Sequence, residues 1–321
     1  MVSTAPFPAA RLASRALGAR PVVSIARLAS TGRLPVLAYH DVPDRAIFVT
    51  HLDFVQEHYR PIGGSEVAAA VRGGARLPAR AIWLTFDDAH AGVFANALPD
   101  LAERRLPATL FVCPGVVDTD RPYWWQVLES GLAAQGAVSI DGRTWSDSSV
   151  VTHLKTVPDA VRRATVIRVA DGLAASGVKV AVPQATTADL RRWLEAGLEL
   201  GNHTWDHACL DMCGEAQQRE QIEMAHDWLR DLLGSPPRLF AYPNGNTAAP
   251  SRQVLTHLGY DVAALFDHRL SRARGQEVSR LRIDADVPVR RLAAITSGAH
   301  PAAFAGTRRL AAFRHRAGVP A

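Results

Sequence analysis

The chain has 321 residues, of which 48% are apolar and 21% charged, with a formal net charge of +5. That is ample material for one large core, and it excludes a disordered or fibrous chain. No run approaches the ~20 apolar residues of a membrane-spanning helix, and no nucleic-acid-binding motif is present, so no nucleic-acid partner is expected.

Residues 1–30 form an Ala/Arg-rich leader. No acidic residue precedes Asp41, whereas Arg11, Arg15, Arg20, Arg27 and Arg33 all do. The bland expectation is a solvated arm holding one short helix, broken near Pro21. The alternative is peripheral contact with an anionic membrane surface. Arginines interrupt every candidate apolar core, and the first ten residues carry no positive side chain, so no secretory signal is read. A cytoplasmic protein, at most held at a membrane surface, is therefore expected.

From residue 31 to about 300 the pattern is short apolar strand, loop, helix, repeated. Strands are expected at 34–39, 81–86, 108–113, 198–202, 238–242 and 261–266. Helices are expected near 52–59, 91–105, 187–196, 215–233 and 250–258. Thr186 or Thr187 can cap the third of these, which Gly197 ends. In the fourth, Ile222, Ala225, Leu229, Leu232 and Leu233 share one face, and Gly234 then Pro236 stop it. Residues 118–185 look like an insertion, with Tyr123-Trp124-Trp125 near its start. Residues 301–321 form a basic tail with Arg308, Arg309, Arg314 and Arg316. Cys113, Cys209 and Cys213 supply neither a disulfide framework nor a zinc-ribbon set, so reduced, partly buried thiols are expected. The sequence does not set the oligomeric state.

Alternating strands and helices imply a mostly parallel sheet. His40, Asp87-Asp88, His203 and Tyr242 each fall at the C-terminal end of an expected strand. In a β/α barrel those ends converge on one face, where active sites are built. The expected architecture is thus an α/β fold, a distorted (β/α) barrel with one site at its top, in a single domain carrying the insertion.

The chemistry follows from two segments. The apolar run 81–86 ends in Asp87 and Asp88, and His203-Thr204-Trp205-Asp206-His207 places two histidines four residues apart. Two imidazoles and one carboxylate are the ligand set of a zinc site that keeps an open position for water. The spare carboxylate can serve as the base that deprotonates that water. The adjacent Trp124 and Trp125 suit either stacking on sugar faces or anchoring the insertion.

TFDD at Thr85–Asp88 and HTWDH at His203–His207 resemble the metal and catalytic motifs of the polysaccharide deacetylases, the NodB-homology family. The similarity runs on through Thr85–Val112, TFDDAHAGVFANALPDLAERRLPATLFV. LPVLAYHDV at Leu34–Val42 and FAYPNG at Phe240–Gly245 are similar to motifs of its permuted branch, the poly-N-acetylglucosamine deacetylase type. The resemblance implies a distorted barrel of the NodB type and a divalent metal, zinc by expectation, held by Asp88, His203 and His207. It implies Asp87 as general base and His40, at an early Tyr-His strand end, as proton donor to the leaving amine. His257, His268 and His300 are the late competitors for that role. It further implies that Tyr242 contributes its backbone N–H to an oxyanion pocket, and that Arg282 orients the catalytic aspartate, with Arg280 the neighbouring alternative.

Three positions depart from the family pattern. Ala89 stands where glycine is usual, so a glycine-only turn after Asp88 is not expected. Ala241-Tyr242-Pro243 replaces an Arg-x-Pro-Tyr motif, and no Asp-x-x-Asp-Trp motif occurs. The reading is a metal-dependent hydrolase that removes N-acetyl groups from an N-acetylhexosamine-containing glycan, glycolipid or precursor. The competing classes are a hydrolase of other non-peptide amides or of acetyl esters, and a non-catalytic carbohydrate-binding protein.

Overall fold

The computed structural model describes residues 16–140 and 142–305. The first half of the leader and most of the basic tail lie outside them.

The central strand is β3, Ala81–Asp87, and every residue in it is buried. Such an unbroken apolar run is what a parallel strand covered on both faces requires. Around it lie β1 (Val36–Tyr39), β2 (Arg60–Ile62), β4 (Thr109–Val112), β7 (Glu199–Asn202), β8 (Leu239–Ala241), β9 (Val262–Ala264), β10 (Glu277–Val278) and β11 (Leu281–Arg282). Their order is β10-β9-β8-β7-β4-β3-β1-β11, with β2 along the first half of β3. All these pairings are parallel. β10 and β11 lie at opposite ends of this order, yet only Ser279 and Arg280 separate them in the chain. The sheet is therefore curled far enough for a two-residue link to join its edges. This is the distorted (β/α) barrel expected from the sequence.

Strand alternation sorts the side chains. Leu37, Tyr39, Leu84, Phe86, Leu110 and Leu200 belong to the core shared with the helices, where Phe48 and Trp193 meet Phe86 edge-on. Val36, Trp83, Phe111, Ala241, Val262 and Ala264 form a second core. Thr85 and Asp87 have the parity of Trp83, so they continue this second, inner row toward the top. Gly201 is required there, because an added Cβ would sit 2.5 Å from the Phe111 ring.

The outer helices are α1 (Arg20–Ala29), α2 (Arg45–His58), α3 (Gly64–Val71), α4 (Leu98–Glu103), α8 (Thr187–Glu195), α9 (Glu215–Leu233), α10 (Ala249–His257) and α11 (Val289–Ser297). Several boundaries match the sequence signals. Asp189 N–H donates to the Thr186 hydroxyl at 3.1 Å, and Gly234 ends α9 at φ +69°. Helix α2 starts seven residues earlier than expected, because Asp44 caps it by accepting from Ile47 N–H. Pro21 does not break the leader helix. It lies in the first turn of α1, where a missing N–H costs nothing.

The insertion contains α5 (Trp124–Gln135), the antiparallel pair β5 (Val138–Ile140) and β6 (Arg143–Trp145), α6 (Ser149–Leu154) and α7 (Asp159–Ala175). It has its own small core of Leu128, Val138, Ile140, Trp145, Val150 and Leu154.

Candidate active site

Asp87 closes β3 and points along the inner row. Asp88 follows with φ +66° and Ala89 with φ +53°, so the chain leaves the strand through two left-handed residues. The usual glycine is absent, yet alanine adopts the left-handed turn, at a cost of roughly 1–2 kcal/mol. Tyr123 of the insertion clamps this turn by donating its hydroxyl to the Asp88 carbonyl at 3.0 Å.

His203 leaves the end of β7, and its Nδ1 lies 2.8 Å from the Ala241 carbonyl. A carbonyl only accepts, so Nδ1 carries the proton and Nε2 offers its lone pair to the site. Within the same loop Thr204 (φ +68°) and His207 (φ +62°) are also left-handed. They turn His207 back over His203. Both imidazole Nε2 atoms stand 3.6 Å from Asp88 Oδ1. One ligand atom from each of Asp88, His203 and His207 lies within 4.8 Å of the others.

The electrostatics of this trio suit a cation. Burial, then the neighbouring Asp87, pushes the Asp88 carboxyl well above its usual range. Burial lowers the pKa of both histidines, His207 strongly, so their neutral forms are favoured. Asp88 Oδ1 and His207 Nδ1 are buried and lack a hydrogen-bond partner among the described residues. A buried, unsatisfied carboxylate oxygen beside two imidazole nitrogens is a costly arrangement that a divalent ion would satisfy.

Asp87 is treated differently. Arg280, in the link between β10 and β11, is wholly buried and reaches across the barrel. Its two terminal nitrogens donate to Asp87 Oδ1 and Oδ2 at 2.7 and 2.9 Å. Its Nε donates to the Leu265 carbonyl at 2.8 Å. Burial alone would raise the Asp87 carboxyl, but Arg280, His203 and His40 together hold it down at about 2.

The sequence reading preferred Arg282 for this partner, and the structure corrects it. Residues 280 and 282 have the same parity, but 280 lies in the closing link, where it faces the interior. Arg282 lies on β11 and is exposed, with its guanidinium 4.4 Å over the Phe266 ring and donating to the Phe266 carbonyl.

His40 follows β1, and its Nε2 lies 4.0 Å from Asp87 Oδ2. Solvent reaches 41% of its side chain, yet desolvation by the surrounding groups, opposed by Asp87, lowers the imidazole to about 4. The late histidines lie elsewhere. His257 is exposed at the end of α10, and His268 is paired with His300 at 2.9 Å.

A cleft of about 380 Å³ opens over these groups, lined by His40, Asp87, Asp88, His203 and His207. Trp125, Gln126, Glu129, Val151 and Lys155 of the insertion form one wall, and Tyr242, Asn244 and Phe266 contribute from loops after β8 and β9. Trp125 stacks on Tyr123 at 4.5 Å and meets His207 edge-on at 4.5 Å. Trp124 does not line this cleft. It packs against the insertion core with Arg162 over its ring at 5.0 Å, so of the two expected stacking residues only Trp125 is placed for it.

Tyr242 also departs from expectation. Its N–H donates to the Ala264 carbonyl at 3.0 Å, within the β8–β9 pairing, and cannot serve an oxyanion. The loop after it is tight. Gly245 has φ +77°, and a Cβ there would lie 2.1 Å from Phe266 N.

The insertion also grips the histidine loop. Arg163 on α7 donates both terminal nitrogens to Asp206 at 2.8 and 2.9 Å and its Nε to Asp159 at 2.6 Å. The buried Asp159 takes Arg162 and Gln217 as well, and Arg162 reaches Cys209 Sγ at 2.5 Å. Nothing in the local sequence signalled this clasp, because the spacing between Arg163 and Asp206 is 43 residues.

Residues 74–263 match the model of the polysaccharide deacetylase family. The poly-beta-1,6-N-acetyl-D-glucosamine N-deacetylase of Escherichia coli K12 is 23% identical over 236 residues, covering 67% of this chain and 29% of that protein. This chain therefore spans less than a third of the length of that curated relative. The Streptococcus pyogenes deacetylase PplD, solved with acetate, superposes with a TM-score of 0.56 at 18% identity, covering 81% of this chain and 96% of PplD. IcaB from Ammonifex degensii gives a TM-score of 0.56 at 19% identity, covering 83% and 97%. These superpositions extend the likeness in fold beyond the segment that the family model covers. With that model matching more than half of its residues, the chain belongs to the polysaccharide deacetylase family.

Proposed function

We propose that this chain is a divalent-metal-dependent N-deacetylase acting on N-acetylhexosamine units of a glycan, a glycolipid or its precursor. The observation that carries the reading is the Asp88–His203–His207 trio, with ligand atoms within 4.8 Å, beside a second aspartate held by a buried arginine. Asp88, His203 and His207 would hold the ion, zinc by its preference for imidazole and carboxylate with one position open. When bound, such an ion would polarise the acetyl carbonyl and acidify the attacking water.

The remaining work falls to side chains. Asp87 takes the proton of the water as the new carbon–oxygen bond forms. Arg280 holds both of its oxygens, which fixes the carboxylate and keeps it ionised. His40 passes a proton to the leaving nitrogen as the carbon–nitrogen bond breaks, leaving acetate and a free amine. Because His40 Nε2 is 4.0 Å from Asp87 Oδ2, the proton taken from water has a short path on to the imidazole. His40 need not begin the cycle charged. Trp125 offers its ring to a sugar at the cleft wall.

The test is acetate release from N-acetylglucosamine oligomers, with and without a chelator. Release that stops with chelator and returns with zinc supports the reading. Chelator-insensitive release removes the metal. Turnover of acetyl esters or unrelated amides, with none on the oligomers, moves the substrate to the competing class.

A further inference from the structure

Helix α1 carries a feature that deacetylation does not use. Val22, Ile25 and Leu28 are 38%, 69% and 75% exposed. At 100° per residue, three positions spaced by three cover a stripe about 120° wide. The stripe faces away from the protein. On the other side Val23 is buried and the Arg27 guanidinium lies 5.2 Å over the Tyr59 ring. The helix packs along α11, with Gly18 against the Arg290 backbone and Ser30 near Gly298. It is thus fixed to the barrel, while its apolar side chains are left uncovered among the described residues. A folded protein has no packing reason to expose two large aliphatic residues to that extent in one stripe.

Along its own segment the charge is of one sign. Arg20 and Arg33 are exposed at the two ends of the helix region, and Arg290 is exposed beside its start. Arg11 and Arg15 precede it in sequence, and no Asp or Glu occurs before Asp41. An apolar stripe flanked only by arginines along its own segment is the pattern of a helix lying in the interface plane of a bilayer. Its apolar face enters the boundary between headgroups and acyl chains, and its cations meet anionic headgroups. A second copy of this chain would set the same arginines against each other. A neutral apolar partner would leave them unused.

We propose that α1 docks the protein onto an anionic phospholipid bilayer through Val22, Ile25 and Leu28, with the arginines supplying the attraction. This holds whether or not the chain is a deacetylase.

The test is sedimentation of the full chain with vesicles of phosphatidylcholine alone or with about a third phosphatidylglycerol. Binding to the anionic vesicles, weak or absent on the neutral ones and reduced by added salt, is the expected result. Ile25→Glu with Leu28→Glu should cut the partition coefficient at least roughly tenfold, since both residues lie at the stripe's exposed centre. The variant should keep its melting temperature and its acetate release from soluble oligomers. Three results would overturn the proposal: no binding to anionic vesicles, equal binding by variant and parent, or a dimer of the parent that the double substitution dissolves. The last would assign the stripe to self-association.

Discussion

Replacing Arg280 by methionine keeps an unbranched side chain in the barrel and removes the charge that Asp87 depends on. The Asp87 carboxyl is held at about 2 against an ordinary 3.8. At roughly 1.4 kcal/mol per unit, that shift makes the ionised form worth about 2 kcal/mol to the folded state. In the parent this contribution is present above the unfolded value of 3.8 and lost as pH falls through about 2. Without the guanidinium, burial, already the largest single influence, is no longer outweighed and raises the carboxyl above its unfolded value. The sign then reverses: Asp87 favours folding at low pH and opposes it as pH rises through the raised value. Leaving a buried carboxylate unpaired costs about 3–5 kcal/mol, so Arg280→Met should lose that much near pH 7. The gap to the parent should narrow on acidification toward pH 4. Urea unfolding of both proteins at the two pH values, with chelator present so that no cation compensates, measures this. A loss under about 1 kcal/mol at pH 7, or a gap independent of pH, would refute the account of the pair.

Asp87→Asn should abolish turnover while zinc still binds, whereas Asp88→Asn should weaken zinc binding itself; metal titration with acetate assays would expose reversed roles. His40→Ala should keep the fold and the metal and lose roughly 10²–10⁴ of kcat, less for substrates with a more acidic leaving amine. Arg163→Ala releases Asp206 and with it the loop that carries both histidines, so zinc affinity should fall about 10–100-fold; unchanged affinity would reduce the clasp to a fold contact. Ala89→Gly relieves the left-handed strain at φ +53° and should raise stability by about 0.5–1 kcal/mol in thermal unfolding, after the extra freedom of glycine in the unfolded chain is subtracted.

The parts of the site that were legible in the sequence are those with local signals. An apolar run ending in two acids placed Asp87 and Asp88 at a strand end, and the four-residue histidine spacing placed the other two nitrogens. The strand parity that turns Asp87 inward is also a local property. Arg280 was harder, because its position depends on β10 and β11, two strands of two residues each. Their shortness hides the two-residue link that carries Arg280 into the interior. Tyr242 misled for a related reason. Whether its N–H is free depends on β9 pairing with β8, which no residue near 242 encodes. Trp124 and Trp125 are adjacent on α5, so their side chains diverge by about 100° and only one can face the cleft. The helical phase that selects Trp125 is set by how the insertion packs, not by the pair itself.

The two aspartates are neighbours in sequence but opposites in electrostatics, and this bears on why a cation suits the second. Asp87 has its charge met by Arg280. Asp88 has no arginine or lysine within 4.0 Å among the described residues, only the imidazoles of His90, His203 and His207. With those rings neutral, the site carries one uncompensated negative charge in a buried place, and burial accordingly pushes the Asp88 carboxyl upward. A monovalent ion would only cancel that charge. A divalent ion would leave one positive charge beside the cleft, where in the proposed reaction the acyl oxygen would become negative as water adds to the carbonyl. Such charge acts strongly in a site shielded from water. The same reasoning explains why Arg280 contacts Asp87 rather than Asp88. A guanidinium on Asp88 would satisfy the carboxylate and occupy the side from which the proposed ion would be held.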